Sequence, residues 1–340
     1  MIRLWSIGIL ASFALALPLV ASAGAGPAKP ATPRAVTEFP LPVPNSRPYS
    51  IVRGPDGAVW FTESNRGVIG RMTPNGNLKE FALPYEGSGP YGITLGADGN
   101  LWFTERFTDT IAMMTPAGAV TEFCCLTPMS QPWDIAAMPD GSLWFTEENV
   151  DQVGQIYPNG AIYEFPTGPG ELPTSIAAGP GGTIWFTKEL GNKIVKLTPG
   201  PDPGDIPEMV DYPLLTEGAL PWDIAAGPDG NMWFTTLNGR FIGKITPNGT
   251  ITEYPVPGEY GIAGIAWGPS DRMWFTENDT GLVGSITVNG VVEERFGTSP
   301  YPFGITYGPD GNMWFAGGYG NTIGRLSLRH SLSPARRSGR

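Results

Sequence analysis

Two carboxylates and four aromatic residues are the side chains of this sequence whose types and spacing best suit ligand binding. They belong to two adjacent positions that recur about every forty residues, the first of which follows a proline in most copies. The first position is aromatic in five of its seven copies, which are Tyr49, Tyr91, Trp133, Thr174, Trp222, Ala263 and Phe303. The second position is small or acidic and holds Ser50, Gly92, Asp134, Ser175, Asp223, Gly264 and Gly304.

An aromatic funnel of this kind, with carboxylates between the rings, suits a partly apolar ligand, a sugar or a cation. We predict a ligand-binding set made of six of these residues, namely Tyr91, Trp133, Asp134, Trp222, Asp223 and Phe303. Two alternatives stay open at this point. The rings can instead plug a central channel and pack on neighbouring repeats, and the two aspartates can hydrogen-bond to backbone instead of contacting a metal or ligand.

Signals for catalysis are weak. The sequence shows no nucleotide-binding loop, no zinc-ligand spacing and no Ser-His-Asp set, and its single histidine, His330, lies near the end of the chain. Cys124 and Cys125 are the only cysteines and are adjacent, so they either form a vicinal disulfide or remain free thiols. A catalytic cysteine requires a basic partner, which this pair lacks.

A tetrapeptide repeat predicts the elements that hold these residues in place. Trp60-Phe61-Thr62-Glu63 recurs with variations at Trp102, Trp144, Trp185, Trp233, Trp274 and Trp314. A Gly-Pro-Asp-Gly turn such as 54–57 precedes it, and an Ile-Gly-Arg or Ile-Gly-Lys strand and a Pro-Asn-Gly turn follow it. Four antiparallel strands per repeat, seven times over, predict an all-β, seven-bladed β-propeller, with the tryptophans as structural residues.

The ring is predicted to close through its N-terminal strand. Six fourth strands follow their repeats, at 78–81, 120–123, 162–165, 209–212, 251–254 and 292–295. The seventh matching segment, 36–39, precedes the first repeat, so we expect it to pair with the strand at 322–326 in the last blade. The acidic residues of these outer strands are interpreted as protection against edge-to-edge stacking.

Outside the propeller, predicted as residues 36–328, three segments have other roles. Residues 1–23 read as a signal peptide, because Arg3 precedes an apolar run and 21–23 offer a small-residue cleavage site. Residues 24–35 read as a linker and 329–340 as a disordered basic tail. We therefore expect a secreted or periplasmic protein without a membrane span after cleavage.

The balance of charge limits the partners. With 21 Lys+Arg against 32 Asp+Glu, the formal net charge of -11 disfavours nucleic acid. A small molecule or glycan at the funnel is the expected partner, and a monomer is the expected state.

The repeat also resembles the streptogramin B lyase family, also called the virginiamycin B lyase family. The resemblance lies in the Gly-Pro-Asp-Gly-x-x-Trp-Phe-Thr-Glu unit, the Ile-Gly-Arg/Lys strand and the Pro-Asn-Gly-x-Ile-Thr-Glu-Tyr segment, and it runs from about Val36 to Leu328. It implies a seven-bladed propeller that linearises a cyclic depsipeptide by elimination at the ester C–O bond. It also implies a Mg²⁺ ion that polarises the lactone and a histidine that takes the proton.

The positions that the resemblance assigns to catalysis carry other residues here. The two implied histidines correspond to Ala263 and Phe303, and their acidic partners to Tyr301 and about Gly318. The favoured function is therefore a secreted propeller that binds a small molecule, glycan or protein at the funnel, without a certain cofactor. The alternative is a metal-dependent carbon–oxygen lyase or lactonase with altered catalytic groups, for which Mg²⁺ would be the cofactor.

Overall fold

The chain forms seven four-stranded antiparallel sheets arranged as the blades of a propeller, as the repeat predicts. The computed structural model describes residues 35–258 and 261–328, without the side chain of Glu294. The predicted signal peptide and basic tail lie outside these residues, as does the linker apart from Ala35. No helix among the described residues is long and apolar enough to cross a membrane.

Each blade starts with a strand beside the central channel. These first strands are β2 (Pro48–Arg53), β6 (Pro90–Leu95), β10 (Pro132–Ala137), β14 (Pro173–Ala178), β18 (Pro221–Ala226), β22 (Ile262–Gly268) and β26 (Ile305–Tyr307). The Trp-Phe-Thr segments form the second strands, which are β3 (Val59–Glu63), β7 (Leu101–Glu105), β11 (Leu143–Glu147), β15 (Ile184–Lys188), β19 (Met232–Thr236), β23 (Arg272–Glu277) and β27 (Met313–Gly317).

Two further strands complete each sheet. The third strands are β4 (Val68–Met72), β8 (Thr110–Met114), β12 (Gln152–Ile156), β16 (Lys193–Thr198), β20 (Phe241–Ile245), β24 (Leu282–Thr287) and β28 (Thr322–Leu326). The outer strands are β5 (Leu78–Ala82), β9 (Val120–Phe123), β13 (Ile162–Pro166), β17 (Glu208–Pro213), β21 (Ile251–Pro255), β25 (Val292–Gly297) and β1 (Val36–Pro40). Short 3-10 turns occupy Glu148–Val150, Pro180–Gly182 and Gly318–Gly320.

The N-terminal strand closes the ring in the predicted way. β1 pairs antiparallel with β28, with Val36 opposite Leu326 and Pro40 opposite Thr322. The ring of Phe39 stacks on Trp314 of the same blade at a centroid distance of 5.7 Å. The last blade therefore combines strands from both ends of the chain, and its outer edge is covered.

The repeated tryptophans are fully buried and form the core between blades. Trp60 packs with Ile93 and Phe103 of the next blade and stacks on Phe81 of its own at 5.2 Å. Its indole Nε1 donates to Asp56 of the Gly-Pro-Asp-Gly turn at 3.0 Å. The turn thus satisfies the polar atom of a buried ring, which confirms the structural role assigned to this residue.

The threonine of the second strand links each of the first six blades to the next. Thr62 Oγ1 accepts the Ser50 N–H of its own blade at 3.1 Å and donates to the Tyr91 carbonyl of the following blade at 2.8 Å. Thr104, Thr146, Thr187, Thr235 and Thr276 make the same pair of bonds. In the seventh blade Ala316 replaces the threonine, and Gly304 N–H donates directly to the Tyr49 carbonyl at 3.0 Å. These threonines fix the backbone at the aromatic positions.

Several acidic residues of the outer strands bind loop backbone, a contact that the sequence interpretation did not include. Glu164 accepts the Thr127 N–H, Glu253 accepts those of Leu215 and Thr216, and Glu38 accepts that of Ser299. Each loop donor belongs to the segment that enters a first strand from the preceding blade. These carboxylates therefore hold the inter-blade loops by accepting their backbone N–H groups.

Candidate functional site

The first strands begin, and the second strands end, on one face of the propeller. The register shows this directly, since Pro48 lies opposite Glu63 and Pro132 lies opposite Glu147. We call this side the funnel face. In the first six blades the register shifts just after the opening residue, which is a proline in five of them and Ile262 in the sixth, so the recurring positions of these blades sit in a bulge. Bulges re-aim side chains, and here they bring residues of different blades together around the channel.

Five aromatic rings, four from these bulges and one from blade seven, form one connected cluster at the channel. Tyr49 contacts Tyr91 at a centroid distance of 4.0 Å and Phe303 at 5.1 Å. Trp133 contacts Tyr91 at 4.6 Å and Trp222 at 5.4 Å. Of these rings, Tyr91, Trp133 and Phe303 are buried, and Tyr49 and Trp222 are half-buried. The rings pack on one another across the channel instead of lining a wide opening.

The two predicted aspartates bind backbone in the neighbouring blades. Asp134 accepts the N–H of Ile176 at 3.1 Å and Asp223 that of Ile265 at 2.7 Å. Between them lies Ser175, whose Oγ is 2.9 Å from Asp134 Oδ2 and 2.7 Å from Asp223 Oδ1. Burial raises the pKa of both carboxyls, and that of Asp223, with a further contribution from the charge of Asp134, reaches about 7. Together these three residues tie blades three, four and five together.

Sequence reasoning missed a charged pair that lies over the aromatic cluster. The Arg106 guanidinium is 4.2 Å from the centroid of the Trp133 ring and 5.2 Å from that of Tyr91. It also bonds Glu148 and, at 3.0 Å, Gln131. Arg106 directly follows the second strand of blade two, so its position in the repeat could have predicted that it lies on the funnel face.

The positions that the resemblance assigns to acid–base groups are filled by apolar packing. Ala263 is fully buried. The Phe303 ring lies against Gly318, where an added Cβ would collide with the ring and would lie 2.6 Å from the Tyr301 carbonyl oxygen. Tyr301 is exposed and its ring meets Tyr319 at 5.2 Å.

Glutamates at the ends of the second strands are buried side chains beneath the funnel face. Glu63, Glu105, Glu147 and Glu277 are at most 2% exposed. Glu63 pairs with Arg66, and Glu277 with Arg295. Burial raises the pKa of Glu63 and Glu105 to about 7, and burial with the nearby Glu164 raises that of Glu147 to about 9. They belong to the blade interior and do not line the aromatic mouth.

Exposed apolar side chains surround the mouth on the same face. They lie in loops that enter first strands or follow second strands, and they are Val43, Tyr85, Phe107, Met129, Leu190, Leu215, Tyr301 and Tyr319. Cys124 and Cys125 follow the outer strand β9 on this face as exposed free thiols, with their Sγ atoms 2.8 Å apart. An apolar rim of this kind is typical of a surface that binds another molecule.

The described residues do not fit a Mg²⁺ site. They contain no group of three or more His, Cys, Asp or Glu side chains arranged to hold a metal. Asp134 and Asp223 direct their oxygens to backbone N–H groups and Ser175, which is unlike the oxygen shell of about six ligands that this ion requires. We therefore derive no chemical step through a metal.

Comparisons with known sequences and with known structures point to the same family. A sequence model of the virginiamycin B lyase family matches residues 28–207 and 173–334. A streptogramin B lyase structure is 33% identical, with a TM-score of 0.81 over 87% of this chain and 98% of that chain. A catalytically inactive virginiamycin B lyase from Staphylococcus aureus with quinupristin, carrying alanine for a histidine, is 30% identical, with a TM-score of 0.81 over 87% of this chain and 100% of that chain.

The match to curated sequences is much shorter. A virginiamycin B lyase from Saccharopolyspora erythraea is 46% identical over 41 residues, which are 12% of this chain. The matched segment spans 14% of the length of that relative.

Proposed function

The chain belongs to the virginiamycin B lyase family, and on that premise we propose that it is a secreted or periplasmic propeller that binds a small-molecule ligand at its funnel face without the family's lyase reaction. The N-terminal charge, apolar run and small-residue site support export. The family membership supports a ligand site on the funnel face. The residues at that face determine which of the family's properties are kept.

One observation carries the loss of the reaction: the Phe303 ring occupies the space beside Gly318. The resemblance assigns a histidine to position 303 and an acid to about position 318, and neither a phenyl ring nor a hydrogen can transfer a proton. An acid at 318 would collide with the ring and with the Tyr301 carbonyl oxygen. The buried Ala263 removes the second implied histidine.

The same face keeps what binding requires. The aromatic cluster supplies rigid apolar area, and such rings lose little rotamer entropy when a ligand covers them. Arg106 and Glu148 place a charged pair on these rings, and the exposed apolar loops extend the surface outward. A cyclic or amphipathic small molecule is the ligand class that suits such a surface. A glycan or a protein is less well matched, because the rings pack on one another and leave no flat, open platform.

Binding is tested by a thermal-shift screen of cyclic and amphipathic compounds, followed by calorimetry of variants. We expect Trp222→Ala to weaken binding of a hit at least about tenfold, since truncating an aromatic anchor costs about 2 kcal/mol or more and about 1.4 kcal/mol already corresponds to tenfold. Trp267→Ala is the matched control, because Trp267 is 55% exposed at the far end of its first strand, away from the funnel face. Equal losses for both variants would place the ligand elsewhere.

A second candidate, an altered lyase or lactonase, is favoured by one feature, the channel carboxyl of Asp223 with its pKa of about 7. The test is incubation with cyclic depsipeptides and Mg²⁺, followed by chromatography and mass spectrometry. Elimination gives a linear product of unchanged mass, and hydrolysis adds one water. We expect neither product. Ring opening that Asp223→Asn abolishes would establish this candidate and overturn the loss of catalysis.

A further inference from the structure

A small cavity lies at the channel beside the aromatic cluster. About 60 Å³ is open to water-sized molecules, which suits a few waters or one compact group rather than a whole drug-sized ligand. Rings of Tyr49, Trp133, Trp222 and Phe303 form part of the wall, and Ser50, Asp134, Ser175 and Asp223 supply its polar side chains. The described residues that line it include no Lys, Arg or His, so its carboxylates have no cationic partner in the wall.

Proton counting at Ser175 favours an arrangement in which one of the two aspartates is protonated. A hydroxyl has one proton and donates to one acceptor at a time. Ser175 Oγ lies within hydrogen-bond distance of Asp134 Oδ2 and of Asp223 Oδ1, so two full hydrogen bonds at these contacts need a second proton, which a carboxylic acid would supply. The three side chains therefore hold one proton between the two carboxyl groups. The pKa of about 7 at Asp223, raised by burial and by Asp134, agrees with this count.

Acceptor capacity is left over on both aspartates. Among the described residues, Asp134 Oδ1 accepts one hydrogen bond, from Ile135 N–H at 2.9 Å, and Asp223 Oδ2 accepts one, from Ile265 N–H at 2.7 Å. Each of these oxygens keeps a free lone pair. A cation that supplied its own N–H donors would neutralise the pair without the shared proton.

We propose that this cavity binds one primary ammonium group, which takes the place of the proton shared by Asp134 and Asp223. The ammonium donates to the free lone pairs of the two carboxylates, and its carbon substituent lies against the ring faces, which attract cations. A metal ion is less suitable because the wall is largely aromatic and offers few free oxygens. When the group binds, the shared proton leaves to solvent and both aspartates are ionised.

The inference rests on the proposed function, because the ammonium group belongs to the ligand that the funnel face takes. It restricts that ligand to amines. Other charged and titratable groups near the pair are Tyr49 and Tyr91, with Arg47, Arg106 and Glu148 farther along the rings. Neither tyrosine titrates near neutral pH, since burial raises the pKa of both. Glu148 pairs with Arg106 and does not line the cavity, so the pH dependence of binding reports the aspartate pair.

The experiment uses methylammonium chloride alone, with sodium chloride at equal ionic strength as reference, on the mature protein. Binding is measured by ligand-detected NMR and by thermal shift at pH 8.0 and pH 5.5, where methylammonium remains a cation. Because the aspartate pair must release a proton with a pKa near 7, we expect binding to be roughly 30-fold weaker at pH 5.5. Equal affinity at both pH values would overturn the proposal that the ammonium group replaces the shared proton.

Variants separate the cavity from general charge effects. Asp223→Asn and Asp134→Asn each keep the shape of the protonated acid and remove one charge, so we expect either to abolish methylammonium binding. Asp202→Asn, in the exposed loop of blade four, makes the same charge change and should bind normally. If Na⁺, K⁺ or tetramethylammonium binds as well as methylammonium, the hydrogen-bonded ammonium site is wrong.

The outcome also separates this inference from the proposed function. Absence of methylammonium binding, together with a neutral compound that depends on Trp222, would overturn the amine site and leave the binding function intact. If methylammonium binds but the affinity of no larger ligand depends on Trp222, the cation site is established and the proposed ligand binding at the funnel face is overturned.

Discussion

At the scale of single residues, burial raises the pKa of several acids in this molecule. Glu147 is the extreme case, since it is fully buried and neither carboxyl oxygen has a hydrogen-bond partner among the described residues. Burial and the neighbouring Glu164 raise its pKa to about 9. An acid whose pKa is higher in the folded than in the unfolded chain binds more protons when folded. The contribution of Glu147 to the free energy of unfolding therefore falls as the pH rises from about 4.5 towards 9.

Glu147→Gln should remove this pH dependence. Glutamine has the shape of the protonated acid, so we expect the variant to gain stability relative to the original protein as the pH goes from 5 to 8, by roughly 4 kcal/mol. Chemical denaturation at both pH values measures the gain, and Glu208→Gln on the exposed edge of β17 is the control. Identical pH slopes for the original protein and Glu147→Gln would show that Glu147 is ionised in the fold.

The contact between Phe303 and Gly318 gives a second residue-scale prediction. Gly318→Ala should destabilise the protein by about 1–3 kcal/mol, because the added methyl group overpacks against the ring. In a Phe303→Ala background the same change should cost clearly less, since only the carbonyl oxygen of Tyr301 then opposes it. A double-mutant cycle measures the coupling. Additive effects would mean that ring and glycine do not compete for this space.

The sequence predicted part of this site. Recurrence placed the aromatic and acidic positions at the starts of first strands, and the structure brings the six predicted residues together. It could not predict that Ser175 bridges Asp134 and Asp223, because 41 and 48 positions separate the partners and only ring closure makes them neighbours. The Arg106 contact with Trp133 has the same cause. Whether the six residues bind a ligand remains a prediction.

At the scale of elements, the Trp-Phe-Thr strand has two separate functions. Its large rings fill the space between sheets, and its threonine hydroxyl bridges two first strands. Thr187, for example, accepts the Ser175 N–H at 3.1 Å and donates to the Trp222 carbonyl at 3.0 Å. Periodicity predicted the strand but not the bridge, since a buried threonine in a strand pattern looks like any β-branched residue.

Thr187→Val should therefore be costly although the two side chains have nearly the same shape. It leaves a buried N–H and a carbonyl without their partner, which costs about 1–3 kcal/mol. Thr198→Val on the exposed end of β16 should cost little. Denaturant melts of both variants make the comparison, and equal stabilities would mean that backbone shifts or water replace the bridge.

At the scale of the whole molecule, the closed ring makes all blades interdependent. Counting strands was enough to predict the closure, because six outer strands followed their repeats and one preceded them. The physical basis is the need to cover an edge strand, which is independent of the packing details that sequence reasoning missed. Blade seven is also the place where a direct backbone bond replaces the threonine bridge.

Removal of the closing strand tests this interdependence. A chain that begins at Leu41 lacks β1, so β28 becomes an exposed edge and Trp314 loses its stacking partner Phe39. We expect a lower melting temperature and self-association in light scattering, whereas a chain that begins at Ala35 should melt as one cooperative monomeric unit. Unchanged melting and mass after the truncation would show that the ring does not need the strand.

Because blade seven combines strands from both ends of the chain, the positions of the two termini could be moved to another blade. Ser327 N–H donates to the Ala35 carbonyl at 3.0 Å, so the ends of the described chain lie one hydrogen bond apart. A short glycine linker can join them without crossing the propeller. Opening the 200–205 loop between β16 and β17 would then create a circular permutant. In this permutant blade four, instead of blade seven, would combine strands from both ends of the chain, with three strands from one end and one from the other.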